Sequence, residues 1–168
     1  MANSSPDDQK ILIMAQQFLK AIPHCHKLGM TIVSADSTGV VVELPWSEDI
    51  VGNPETGVIH SGVVTTLMDS ACGISTVTAL PEPEMCPTLD LRIDHMGKPE
   101  PGRPLYASVA PYRVTSNIIF TRGTAWQNSP DEPIAHCVGT FMRLGKMFGP
   151  KGKVSQPKSK SEPGDSAS

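Results

Sequence analysis

The chain predicts an α+β domain in which one long helix lies against an antiparallel sheet of about five or six strands, with an extra helix at the N-terminal end. Three observations predict it. Residues 60–80 form a long apolar run without a single Lys, Arg or Glu. Two β-rich runs precede that segment and four follow it at hairpin-like spacings. Sixteen Pro and 14 Gly among 168 residues supply turns between short elements, and 39% hydrophobic residues suffice for one core.

Residues 1–8 are polar and read as a flexible N-terminus. Gln9 to Ile22 places Ile11, Met14, Phe18 and Leu19 at helical spacing, and Pro23 ends that helix. Met30–Ala35 and Gly39–Leu44 read as strands joined at Asp36-Ser37-Thr38-Gly39. A long loop, Pro45 to Gly57, leads to the central helix, expected from about His60 to Leu80 and stopped by Pro81 and Pro83. At 100° per residue, Val63, Val64, Leu67, Ala71, Ile74 and Thr78 share one face, and Thr65, Thr66, Asp69, Gly73 and Thr76 share another. That second face is small and nearly uncharged, so burial on almost every side is expected. Further strands are expected over Thr88–Met96, Leu105–Val114, Ile118–Gln127 and Ile134–Leu144. The domain then spans 9–145, and the Lys/Ser/Pro-rich segment 146–168 reads as a disordered basic tail.

Charge is unevenly spread. Five Lys against Glu162 and Asp165 make the tail +3, which leaves −6 on residues 1–145 out of a total of −3. An acidic body lacks the basic footprint that nucleic-acid binding requires. Cys25, Cys72, Cys86 and Cys137 show no CxxC spacing, and Cys72 falls in the apolar helix, as a buried free thiol does. No charged-then-apolar leader and no run of about 18 apolar residues occurs, so the expectation is a soluble cytoplasmic protein with no membrane partner. His24-Cys25-His26 offers two ligand-type side chains on one side of an extended segment but no clear third ligand, so no metal is expected.

The informative stretch is Asn53-Pro54-Glu55-Thr56-Gly57-Val58-Ile59-His60-Ser61-Gly62, followed by the helix that carries Asp69. A turn of small residues opens a helix whose first amides are free to bind an anion or polarise a carbonyl. A carboxylate among core-like residues must be partnered, protonated or functional. Asp69 lies too deep in the helix to cap it. Structural and catalytic readings of this acid stay equally open from the residues alone. For His60 and Asn53, taken singly, structural roles fit better.

The stretch resembles the hotdog-fold acyl-CoA thioesterases of the PaaI type, relatives of the 4-hydroxybenzoyl-CoA thioesterases. Their pattern is an Asn-containing loop, then His-Gly-Gly, then a helix with an acid nine positions after the His; Asn53, His60 and Asp69 match it. The likeness extends to Leu28-Gly29-Met30, to Thr88-Leu89-Asp90-Leu91 and to Ala135-His136-Cys137-Val138-Gly139-Thr140-Phe141, and covers about residues 10–145. It implies a long central helix wrapped by a curved antiparallel sheet. It also implies hydrolysis of an acyl-CoA to CoA and a carboxylic acid, with Asp69 as general base or nucleophile. The Ser61 amide would hold the thioester oxygen. Asn53 and His60 would position the loop, the water or the carbonyl, with Gly62 beside them among the catalytic residues, and Thr88 would assist the attacking water. Arg113, Ser116, Asn117 and Val63 would contact substrate, with Lys98, Arg122 and Arg143 as weaker candidates. No cofactor is implied beyond the CoA of the substrate. The expected assembly is a homodimer, or a tetramer of it, with Asp69 facing the other chain's Asn53 and His60. The sequence departs from the pattern at Ser61, where Gly is usual; Gly is favoured where φ is positive or substrate passes close to the backbone. A non-catalytic acyl-CoA binding or sensing protein with the same pocket is the alternative reading.

Overall fold

A computed structural model describes residues 5–145 of the chain. Helix α1 (Pro6–Ala21) begins earlier than expected. Ser5 caps it by accepting from the Asp8 amide while Asp8 reaches back to the Ser5 backbone. This reciprocal box, Pro6 at the first helical position and Asp7 and Asp8 in the first turn hold residues 5–8 in order. Residues 1–4 and the expected basic tail, 146–168, lie outside the described residues.

Pro23 ends α1 and also opens a short helix, α2 (Pro23–Lys27), because its fixed φ suits a first helical position. The extended reading of His24-Cys25-His26 is thereby corrected. On a helix His24 and His26 point about 200° apart, not to one side. Strands β1 (Thr31–Asp36) and β2 (Gly39–Leu44) form the expected hairpin. Asp36 tightens its turn, its Oδ1 accepting from the Thr38 amide at 2.7 Å and the Thr38 hydroxyl at 2.5 Å.

The expected loop 45–57 is structured. A 3-10 turn (Glu48–Ile50) leads into β3 (Val51–Asn53), which pairs antiparallel with β4 (Val58–Ile59). Helix α3 (Ser61–Thr78) follows directly, with His60 as its cap. Strands β5 (Thr88–His95), β6 (Leu105–Val114), β7 (Ile118–Trp126) and β8 (Ala135–Met142) complete the elements of the described residues, each within two residues of expectation.

The six long strands form one antiparallel sheet in the order β1-β2-β6-β7-β8-β5. Alternation turns Val42 and Leu44, Leu105 and Ala107, Ile119, and Cys137 and Phe141 toward α3, where all are buried. Leu67, Met68, Ala71 and Ile74 meet them from the helix. Fully burying one such aliphatic side chain contributes about 1.5–3 kcal/mol, so this seam fixes α3 across the sheet. Helix α1 covers β1 and one flank of α3, with Ala15 and Leu19 buried. The expected all-round burial of α3 holds for its second half. Its first turns leave Ser61 and Gly62 exposed at the helix start, and Thr65 exposed and Asp69 half-buried where a cavity replaces core.

Candidate active site

Asp69 projects from the middle of α3 toward the start of β5. The Thr88 hydroxyl donates to its Oδ1 at 2.9 Å. A carboxylate leaving water needs such a donor. Asp69 and Thr88 open onto a cavity of about 450 Å3. Phe18 and Ile22 of α1, His24 and Cys25 of α2, and Leu91 and Phe141 of the sheet line most of the rest. Beneath it two buried thiols bridge α3 and β8, with Cys72 Sγ and Cys137 Sγ 3.4 Å apart. That contact, with burial adding to it, holds the Cys72 thiol well above the ordinary range. The same contact draws Cys137 below it, against the effect of burial.

The helix start is built around His60. Its Nδ1 accepts from the Gly62 amide at 2.9 Å, and its own amide donates to the Ile50 carbonyl at 2.9 Å, tying the cap to the 3-10 turn that precedes β3. Gly62 is needed there, since a Cβ would lie 2.9 Å from His60 Nδ1. The Val63 amide is taken by the His60 carbonyl. Of the first three helix amides, Ser61 alone is left without an acceptor among the described residues. Ser61 does not have positive φ, so its departure from the usual Gly needs no left-handed backbone. It borders a second cavity, about 230 Å3, with His95 and Lys98.

Asn53 ends β3, and its side-chain oxygen accepts from the Glu55 amide at 3.0 Å in a local turn. Asn53, His60 and Ser61 are all exposed. Eight residues, about 12 Å of helix axis, separate Ser61 from Asp69. One chain therefore unites Asp69 with Thr88, and His60 with Ser61 and Gly62, but does not unite the two groups. Arg113, Ser116 and Asn117 are exposed around the β6–β7 turn, at the same end of the sheet as Thr88. They lie three strand spacings, about 14 Å, from β5. Arg143 braces that turn: its guanidinium donates to the Thr115 carbonyl at 2.8 Å and pairs with Glu84 at 2.6 Å. The pairing holds the Glu84 carboxyl below its ordinary value. Arg122 lies over the Tyr112 ring at 5.6 Å, on the sheet face away from α3. Val63 is half-buried and packs against the core.

A shallower hollow of about 500 Å3 crosses that outer face, lined by Asp36, Arg122 and His136 among others. Its one carboxylate, Asp36, is held below the ordinary range by the Thr38 hydroxyl and amide, which engage it in the β1–β2 turn. The chemistry therefore points to the Asp69 cavity. The resemblance implied that His24 or His26 would line the acyl pocket, and His24 does border the cavity; the contribution of α1 was missed. The signal was the i, i+4 pair Phe18 and Ile22, which marks an apolar stripe but not what it covers.

The comparisons bear on the family and the fold. The family model described as the thioesterase superfamily matches residues 56–134, from the β3–β4 turn through α3 into the sheet. A crystal structure of a Pseudomonas aeruginosa protein is 55% identical, covers 80% of this chain and 99% of its own, and superposes with a TM-score of 0.75. The E. coli PaaI protein from the phenylacetic acid degradation operon shares the fold at 16% identity, covering 83% of this chain and 97% of its own, with a TM-score of 0.72. A Halobacterium salinarum protein named as an esterase is 30% identical over 94 residues, 54% of this chain. That match spans 61% of the relative's own length. The chain belongs to the thioesterase superfamily, and its fold is the hotdog fold of the PaaI type.

Proposed function

We propose that the protein hydrolyses an acyl-CoA thioester to CoA and a free carboxylic acid. The observation that carries this reading is the Asp69 carboxylate, oriented by Thr88 at 2.9 Å and facing an apolar cavity. One Asp69 oxygen takes the Thr88 hydrogen bond, and the other is available to a water. As general base, Asp69 draws a proton from that water as it attacks the thioester carbon. As nucleophile, it attacks the carbon itself and forms a mixed anhydride that water then opens. In both routes the C–S bond breaks and the CoA thiolate leaves to be protonated by solvent. The carbonyl oxygen becomes an oxyanion on the way and needs a preorganised donor.

The unengaged Ser61 amide at the positive end of α3 suits that role. The 12 Å of helix between it and Asp69 favours a composite site, with the helix start supplied by a second copy. The edge of β5 supports this, since eight residues of that strand pair on one side only, with β8. The assembly on this reading is a homodimer or a tetramer of it. Arg113, Ser116 and Asn117, at the same end of the sheet, would then meet the CoA moiety. The four unpaired thiols suit a reducing, cytoplasmic compartment.

The test is thiol release from a range of acyl-CoAs by the wild type beside Asp69→Asn. Loss of the base should lower kcat roughly 100- to 10,000-fold. Equal rates would sink the mechanism. A wild type that binds acyl-CoA without turning it over would establish a binding or sensing protein instead.

A further inference from the structure

One stripe of α3 faces the Asp69 cavity. Thr65, Thr66, Asp69 and Ser70 present polar side chains to it, and Gly73 presents none. Glycine is an unfavourable choice inside a helix because it has the most backbone freedom to lose. Crowding does not require it here. A Cβ at Gly73 would approach only Phe141 Cε1, at 3.7 Å, an ordinary van der Waals separation, and the backbone is not left-handed. What the missing side chain leaves is space.

That space lies one turn, about 6 Å, past Asp69 on the same stripe. Phe18, Leu91 and Phe141 border the same cavity. Thr76, the next polar side chain on the stripe, is turned back to donate to the Gly73 carbonyl at 2.7 Å. The cavity thus passes from a carboxylate and a hydroxyl to an apolar end.

We infer that Gly73 sets the depth of the acyl subsite. The thioester carbonyl sits at Asp69 and Thr88, and the acyl chain runs along α3 over Gly73 toward Phe141 and Leu91. The substrates are apolar acyl groups that extend a full helical turn past the carbonyl, in preference to acetyl. This rests on the acyl-CoA reading of the cavity.

The experiment compares kcat/KM for acetyl-, hexanoyl- and decanoyl-CoA in the wild type, Gly73→Ala and Leu91→Ala. A methyl added to a fitted apolar pocket discriminates by roughly tenfold or more. Gly73→Ala should lower the hexanoyl-to-acetyl ratio by that factor with a Tm at or above the wild type. Leu91→Ala, which lengthens the cavity, should move the preference toward decanoyl. An unchanged profile in both variants overturns the depth role. The same CoAs are titrated calorimetrically into Asp69→Asn with and without Gly73→Ala. A shifted affinity ratio without turnover in the wild type upholds the depth role and removes the hydrolase. Turnover with unshifted ratios does the reverse.

Discussion

Two side chains carry separable duties at the site. Thr88 contributes one hydrogen bond to the Asp69 carboxylate. A bond to a charged group is worth about 1.5–3 kcal/mol, so Thr88→Val should cost roughly 10- to 100-fold in kcat with a smaller change in KM. His60 is a cap first, since its Nδ1 takes the Gly62 amide. His60→Ala should lower stability by about 1 kcal/mol, and His60→Asn, another capping side chain, should restore the Tm. Ser61 offers a cleaner test, because in the proposed mechanism its N–H is the functional atom. His60 stands at φ −65° and ψ 135°, the backbone that a following proline prefers, and proline is welcome at a first helical position. Ser61→Pro should therefore fold as the wild type does and lose roughly 100- to 1,000-fold in kcat, the cost of one oxyanion donor.

At the scale of elements, legibility followed the length of a pattern. Strand β2 and strand β6 were readable to the residue because alternation over Gly39–Leu44 and Leu105–Val114 leaves one period possible. The β3–β4 pair was not, since strands of three and two residues complete no period. The start of α1 was misplaced because Ser5-Pro6-Asp7-Asp8 reads as polar, although it is a capping box. Pro23 hid α2 for a related reason, as the same residue stops one helix and starts the next. Asp69, His60 and Thr88 were legible through spacing and resemblance, whereas the cavity walls depend on where α1 lands on α3. That docking is a tertiary fact. The α3 seam predicts that Leu67→Ala costs about 2–5 kcal/mol, measured by urea unfolding.

Taken as a whole, the molecule fastens the β6–β7 turn with two segments distant in sequence. Glu84, just after α3, and Arg143, just after β8, join segments far apart in sequence and brace the β6–β7 turn between them. Because Arg143 depresses the Glu84 carboxyl, the stability this pair adds is fully present above the ordinary value of 4.5. It is lost as pH falls through the lower value of the folded state. The urea midpoint of Glu84→Gln should therefore fall less steeply on acidification than that of the wild type. On the proposed composite site, mixing Asp69→Asn with Ser61→Pro should recover turnover that neither has alone, because a mixed dimer would rebuild one complete site.

The four thiols give the protein an internal clock for its own opening. Cys86 and Cys25 both line the cavity, Cys25 fully buried on α2 with its Sγ donating to Ser70 Oγ at 3.4 Å, and Cys72 and Cys137 lie at the seam of α3 and β8. An aromatic disulfide reagent under native conditions should consume them in that order. Cys86 should react through breathing of the cavity, and Cys25 once the N-terminal helices lift. Cys72 and Cys137 should react together, at the rate of global unfolding. Acyl-CoA seated in the cavity should slow the first two steps more than the last, so one progress curve separates the loosening of the site from the melting of the fold.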